Sequence, residues 1–324
     1  MKRKKIVVMG GGTGTFTVLS GLKHYPVDLS AIVSIADNGG STGILRDELG
    51  VLPPGDTRQC LVALSAGDDI LRSLFNYRFA EGSLSGHNFG NLFLSALEKV
   101  TGDSLSAIRE AHRILNVKGR VIPVASKSAQ LFAELEDGKV IEGEHAIDEM
   151  EGERAPIARC FLSPAVEANP EAVEAIESAD AIILGPGDLY TSIMPILLVD
   201  GIREALARSN GQRIFVLNLV TKHGETDGYT AKAYVDVIAS AIQPGSINTV
   251  LVNTEPPPES ILARYKKAQE HSVVDDLDGT SYHTVHAPLL SHDIQEPKPG
   301  DHLHRSLLRH DPIKLAEAIL SCLG

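Results

Sequence analysis

The sequence predicts an α/β protein in which buried strands end in glycine-rich loops and lead into helices. Three stretches carry that prediction. The apolar run Ile6-Val7-Val8 stops at Met9-Gly10-Gly11-Gly12-Thr13-Gly14-Thr15, and Phe16 to Leu22 then places apolar groups at helical spacing. A short apolar run bounded by glycines is a buried strand. A second run, Asp28 to Ala36, ends in Asp37-Asn38-Gly39-Gly40-Ser41-Thr42-Gly43. A third, Ala181 to Leu184, ends in Gly185-Pro186-Gly187-Asp188-Leu189-Tyr190-Thr191-Ser192. Convergent strand ends are where open α/β sheets bind ligands.

In the first loop, glycine lets a ligand approach the backbone closely. The helix behind it turns its N-terminal N–H groups and positive dipole end into the loop. Gly10, Gly11, Gly12, Thr13, Gly14 and Thr15 are therefore candidates to cradle a phosphate or diphosphate. No Gly-Lys-Ser/Thr follows, so this is not a Walker A motif. It also departs from G-x-G-x-x-G, because Thr15 stands at the third glycine position. A tight βα turn with no ligand would carry the same residues.

The second loop supplies Asp37, Asn38, Gly40, Ser41 and Thr42 as candidates. Asp37 is open to three readings. It stands about twenty residues past the first loop, where dinucleotide folds place a ribose-binding acid. A carboxylate beside phosphates is also a Mg²⁺ ligand. Asp-Asn-Gly is equally an Asx-turn sequence. Leu52-Pro53-Pro54-Gly55-Asp56-Thr57-Arg58 then opens a helix through Leu64, with Asp56 placed as its N-cap. Arg58 sits in the first turn, where the helix dipole disfavours a cation and a bound anion would explain it. Residues 46–119 show no strand pattern and read as a helical insertion. Within it, His87 and Asn88 precede a helix; they are ligand candidates, and His87 is equally a capping or packing residue.

From Val121 the pattern changes. Val121 to Val124 is extended, and Gln130 to Glu136, Asp137-Gly138 and Lys139 to Gly143 form a β-hairpin with a type I′ turn. The acidic run from Glu142 to Glu153 reads as a solvated face. Asn169-Pro170 caps and opens a helix. After the third loop, with candidates Gly185, Pro186, Gly187, Asp188, Tyr190 and Thr191, a helix runs through Arg208. Gln212 to Leu219 is a buried strand followed by a long polar loop to Thr230. Such loops carry function, which makes Asn218, Thr221 and Thr226 candidates; the alternative is a helix start capped by Thr226 or Asp227. Thr249 to Asn253 is a strand, Pro256 to Pro258 a stiff turn, and Glu259 to Glu270 a helix. A last strand near Leu303 to Leu308 precedes Asp311-Pro312 and a closing helix. His283, His286, His292, His302, His304 and His310 lie without nearby Cys or an HExxH pattern, so no metal site is expected of them.

Composition narrows the partners. Of 324 residues none is Trp, and the net charge is −12. Phosphate neutralisation needs clustered cations, so no nucleic-acid partner is expected. Cys60, Cys160 and Cys322 are scattered and form no CxxC, which supports neither a disulfide framework nor a thiolate metal site. No apolar run is long enough to cross a bilayer, and Lys2-Arg3-Lys4-Lys5 leads into a strand rather than a signal peptide. A cytoplasmic protein with no membrane insertion is the expectation. A single α/β domain is expected over residues 1–324. A homodimer is expected from the frequency of such assemblies alone.

Read together, GGGTGT, ADNGGSTGILRDELGVLPPGDTRQCL, GHNFGNLFLSALE, GPGDLYTSIMPILLVDGI and NLVTKHGETDGYT resemble the CofD-like superfamily, and within it the gluconeogenesis-factor (YvcK-type) branch. The resemblance spans nearly the whole chain, with its motifs in order. It implies a doubly wound, mostly parallel Rossmann-like sheet with a helical insertion. It also implies a nucleotide-sugar site of the UDP-sugar class, and a role in growth on gluconeogenic carbon sources and in cell shape and envelope metabolism. Asn38 departs from the pattern, which has a second acid there (Asp-Asp-Gly-Gly), so any metal would rest on Asp37. Two functions follow. One is a non-catalytic nucleotide-sugar sensor. The other, as in CofD proper, is a Mg²⁺-dependent transfer of a phospholactyl-type group from a guanosine diphosphate carrier, in which Asp37 or Asp56 would be the catalytic residue that holds the metal. NAD, also a diphosphate, is a third ligand for the same loops.

Overall fold

The computed structural model describes residues 3–67, 69–149, 152–243, 246–294 and 306–324. Seven strands form one parallel sheet: β1 (Lys5–Met9), β2 (Asp28–Val33), β3 (Arg120–Pro123), β7 (Ala181–Leu184), β8 (Gln212–Val216), β9 (Thr249–Asn253) and β10 (His283–Ala287). Their spatial order is β10-β9-β8-β7-β1-β2-β3. The chain runs outward from β1 to β3, returns past β1, and runs outward again from β7 to β10. The reversal lies between β1 and β7, where Val8 is paired with Ile183 and, on its other side, with Ala31. At such a reversal the loops leaving two neighbouring strands diverge and open a crevice.

Both faces of the sheet are buried, which is why its central strands are unbroken apolar runs. Ile6 and Val8 point to the layer of α1 (Gly12–Leu22), α3 (Pro54–Leu64) and α13 (Pro312–Ser321), among Leu19, Leu61 and Ile319. Val7 and Met9 point to the opposite layer of α8 (Pro170–Glu177), α10 (Ile202–Arg208) and α11 (Ala231–Ile242), among Ile176, Leu206 and Ile238. Between β2 and β3 lie α2 (Gly40–Leu49), α3, α4 (Asp69–Asn76), α5 (Phe89–Thr101) and α6 (Ser104–Leu115), with no strand of the sheet among the described residues there.

The predicted hairpin is part of a three-stranded antiparallel sheet, β5 (Val140–Glu142), β4 (Gln130–Leu135) and β6 (Ile157–Ser163). Its turn is not type I′, which needs positive φ at both central residues. Only Gly138 has it (φ +85°). The Gly138 N–H donates to the Leu135 carbonyl at 2.9 Å, and the Leu135 N–H to the Lys139 carbonyl at 2.8 Å, giving a three-residue loop. The helix expected through Arg208 is broken into a π-helical turn at Leu189–Ile193, α9 (Met194–Leu197) and α10, with Gly201 at φ +95° before α10. The cap of α11 is Thr230, which accepts from the Ala233 N–H at 3.4 Å, rather than Thr226 or Asp227. The helix α12 (Glu259–Lys267) ends three residues early. Of the strand expected near Leu303 to Leu308, residues 303–305 lie outside the described residues and 306–308 are not extended into a ladder. Among the described residues the last strand is β10.

The α1–α13 contact rests on Gly21. A Cβ there would overlap the Pro312 carbonyl oxygen and lie 3.0 Å from the Ala316 Cβ. Alanine gains about 1 kcal/mol of helix propensity over glycine, but the overlap is with backbone and forces the helices apart. Gly21→Ala is expected to lower stability by about 1–3 kcal/mol, seen as a lower urea midpoint with unchanged slope. A raised midpoint would contradict this packing.

Candidate functional site

The carboxyl ends of β2, β1, β7 and β8 surround a cleft of about 300 Å³. Its floor is the first glycine loop. Gly12 has φ +61°, a conformation open to glycine at little cost. Gly11 is the N-cap of α1 and has no capping side chain. The cap comes from elsewhere: the Gly12 N–H donates to Asp56 Oδ1 at 2.7 Å. A Cβ on Gly11 would overlap the Asp56 carboxylate, and one on Gly14 the Pro186 carbonyl. These glycines let α3 and the β7 loop close on the start of α1.

Asp56 is therefore not the N-cap of its own helix. Pro53 is, and Asp56 is the third residue of α3, with Arg58 the fifth rather than in the first turn. Asp37 makes the Asx turn, accepting from the Gly39 N–H at 2.9 Å, and it also lines the cleft. Burial raises the pKa of Asp37. Burial and then the charge of Asp37 push Asp56 up to about 7. Glu144 is raised well above its usual range by burial and then by Asp37. Facing these acids, the Arg58 Nε donates to Asn91 Oδ1 at 2.9 Å and its Nη1 to Asn76 Oδ1 at 2.8 Å, which fixes the guanidinium against the cleft.

Of the predicted residues, Gly11, Gly12, Thr13, Gly14, Asp37, Ser41, Thr42, Asp56, Arg58, Pro186, Gly187, Asp188, Thr191, Asn218 and Thr221 share the lining of this cleft. The others stand behind it. Gly10 and Thr15 pack on each other. Asn38 Oδ1 accepts from the His145 N–H at 2.8 Å and so ties the second loop to α7 (Glu144–Asp148). Gly40 begins α2. His87 Nδ1 lies 3.2 Å from Ser41 Oγ, and Asn88 caps α5. Gly185 precedes the wall, and the Tyr190 hydroxyl meets that of Tyr229 at 2.7 Å. Thr226 Oγ1 accepts from the Lys222 N–H and the Tyr234 hydroxyl, both at 2.8 Å.

The acidic run is not simply a solvated face. Glu144, His145 and Asp148 line the cleft, and Asp148 pairs with Lys222 Nζ at 3.1 Å. Glu144 and Asp148 are four residues apart, the spacing that puts two side chains on one helix face. Lys222 desolvates on burial, but the charges of Asp188, Asp148 and Glu225 outweigh that and hold it protonated. Glu225 is buried with neither carboxylate oxygen hydrogen-bonded among the described residues. At the other end Tyr265, Glu270, Ser306 and Leu308 to His310 close the cleft. They come from separated stretches with no shared motif. Among the described residues no three His, Cys, Asp or Glu converge as a metal cluster, and no helix is long and apolar enough to cross a membrane.

Residues 6–290 match the family model described as 2-phospho-L-lactate transferase CofD. The gluconeogenesis factor of Halalkalibacterium halodurans is 42% identical over 323 residues, covering 99% of this chain and 97% of that one. The gluconeogenesis factor of Bacillus subtilis is 39% identical over 327 residues, covering 99% of each. A crystal structure of a Bacillus halodurans protein superposes with a TM-score of 0.91 at 40% identity, over 99% of both chains.

The acid pair makes stability depend on pH. Asp56 has a folded pKa near 7 against an ordinary 3.8, so the fold holds that proton more tightly than the unfolded chain does. Its contribution is full below about pH 4 and is lost as pH rises through 7. Asp56→Asn keeps an acceptor for the Gly12 N–H and removes the charge. At pH 8 it should exceed the wild type by about 1–2 kcal/mol, with water in the cleft screening the rest. The gain should vanish near pH 4. Thermal melts of both proteins across pH 4–8 check this; a pH-independent difference would refute it.

Proposed function

This chain belongs to the CofD family and, within it, to the gluconeogenesis factors, and we propose that its cleft binds a nucleoside diphosphate sugar of the UDP-sugar class as a regulatory ligand. The observation that carries the reading is the backbone cradle at the sheet reversal. The Gly11 to Gly14 segment starts α1, and the Pro186-Gly187 backbone approaches it so closely that a side chain at Gly14 would not fit. N–H groups at a helix N-terminus and bare backbone opposite are what a diphosphate needs. Arg58 and Lys222 supply positive charge on two sides of the cleft. The proton that Asp56 holds near neutral pH lessens repulsion from the acids. The sugar and nucleoside then extend to either side, over β2 and over β8.

A sensor rather than a transferase is favoured by what the acids do. Asp56 holds the Gly12 N–H and Asp37 holds the Gly39 N–H, so both carboxylates are committed to backbone. The relatives' name links them to gluconeogenesis. The regulation we propose serves growth on gluconeogenic carbon sources, and through nucleotide sugars it reaches cell shape and envelope metabolism. The same pair supports the second reading. Asp37 and Asp56 face each other with raised pKa values, and paired carboxylates suit a hard divalent cation. Bound there, Mg²⁺ would neutralise charge on a diphosphate leaving group, as in the phospholactate transferase of the family name.

Titration calorimetry separates the two. UDP-N-acetylglucosamine should bind at micromolar concentration with or without Mg²⁺, and the sugar should be recovered intact. Gly14→Val should weaken that binding at least about tenfold, since even small misplacements of a binding backbone cost about that much. Binding of GDP alone, and only with Mg²⁺, would overturn the sensor reading; preferential binding of NAD would overturn both.

A further inference from the structure

The helices between β2 and β3 leave half of one apolar helix face uncovered. In α4 the residues Ile70, Leu71, Leu74 and Phe75, with Tyr77 just past the helix end, form one apolar arc. At about 100° per residue it spans about 160° of the helix. One half is packed. Phe75 is buried, and its ring meets those of Phe89 and Phe93 on α5 edge-on, at 6.0 and 5.0 Å. Leu71 packs against the same cluster. These contacts fix the rotation of α4, and the other half of the arc then faces outward. Ile70 is 76% exposed, Leu74 42% and Tyr77 51%. The Tyr77 ring lies edge-on to that of Phe79 at 5.1 Å, which carries the patch past the helix end.

Single exposed apolar residues are ordinary, but a contiguous stripe of them marks an interaction surface. Ile70, Leu74 and Tyr77 are spaced by four and then three residues, the seam spacing of a coiled coil. The Tyr77 N–H donates to the Leu74 carbonyl at 3.0 Å, so the last turn carries on to Tyr77. A seam of this kind fits a helix of the same spacing, and α4 of a second copy is one. The charges choose the direction. Asp69 opens the helix and Arg78 follows its end. Set antiparallel about a two-fold axis between Ser73 and Leu74, two copies put Ile70 of each against Tyr77 of the other, and Asp69 against Arg78. A parallel pair would set like charge against like and align the helix dipoles. Asp69 pairs with Arg72 on its own helix, and Arg78 donates to the Gly86 carbonyl at 2.7 Å. A carboxylate and a guanidinium each have capacity for a further partner. The same charges weigh against an anionic membrane, because Asp69 and Glu81 balance Arg72 and Arg78 and no basic cluster adjoins the stripe.

We propose that the outer face of α4 is where two copies of this chain associate, as an antiparallel helix pair about a two-fold axis. A two-fold interface must be self-complementary, and this face is so in both shape and charge. The inference goes beyond the cleft reading and does not depend on it, since of these residues only Arg78 also lines the cleft.

The test is sedimentation velocity over a concentration series. The wild type should be a dimer. Leu74→Arg should weaken dimerisation at least about tenfold, as loss of a central interface anchor does, with an unchanged urea midpoint because Leu74 is a surface residue. Asp69→Arg should weaken it about fivefold, and Asp69→Arg combined with Arg78→Asp should restore it. If Leu74→Arg fails to fold, the charge exchange decides. A monomeric wild type, a dimer that survives in folded Leu74→Arg, or a charge exchange that restores nothing overturns the inference. A monomeric wild type that floats with phosphatidylcholine vesicles gives the face to a lipid surface and overturns it as well.

Discussion

The hydrogen bond from the Gly12 N–H to Asp56 is the constraint on which the site depends. It caps α1 from a helix 44 residues away in sequence. A helix N-terminus leaves several N–H groups unsatisfied, and Gly11 has no side chain to serve them. The first strand, the first helix and α3 are thereby locked around one donor. The second loop is brought in by the same element, because Gly55 lets Asp37 lie against the first turn of α3. With Asp37 and Asp56 thus fixed side by side, the raised pKa of Asp56 is a consequence of the fold's geometry, and the glycine loop is built with a carboxyl group already against its first N–H.

That arrangement sets the charge logic of the cleft. Asp37 and Asp56 line it beside the glycine loop, Asp148 and Asp188 flank Lys222, and Glu144 stands within reach of both groups. So many carboxylates cannot all stay ionised in a half-dry space, and Asp37, Asp56 and Glu144 accordingly hold their protons longer. Arg58 sits beneath the first group, held by two asparagines. Lys222 sits within the second, paired with Asp148. Arg46 and Arg58 thus act on the first acid group and Lys222 on the second, so the proposed anion would meet fixed cations without a uniformly basic surface. The chain's net charge of −12 and the proposed anion site are therefore compatible.

What the sequence showed, it showed through residues whose role is local. Glycines at Gly12, Gly14 and Gly187 mark places where backbone must turn or approach, so three strand ends and most of one cleft wall could be read directly. Asn169 was legible as a cap, and Asp311-Pro312 as a helix start, because the partner N–H lies two residues on. Asp56 was visible as an important acid but misassigned, since nothing local distinguishes a cap for its own helix from a cap for α1. The strand β6 escaped because its burial follows no alternation, and β10, His283–Ala287, because it is a half-exposed edge strand without an apolar run. Glu144 and Asp148 were hidden in an acidic run whose folded face only tertiary structure selects. The end of the cleft at Tyr265 and His310 carries no motif at all; it exists because β8 and the segment before α13 meet in space.

The two ends of the cleft differ in kind, and the difference bears on how a ligand acts. At the glycine loop the donor is already occupied. An anion arriving at the Gly12 N–H would share or displace the Asp56 carboxylate and so act on the bond that joins α1 to α3. Protonation of Asp56 works in the same direction, because a neutral carboxyl is the weaker acceptor. At the β8 end the Nε2 of His310 is closed off from the cleft and has no partner among the described residues. An anion whose affinity differed between the α1–α3 contact made and the contact released would meet the physical requirement for a ligand to shift a conformational equilibrium.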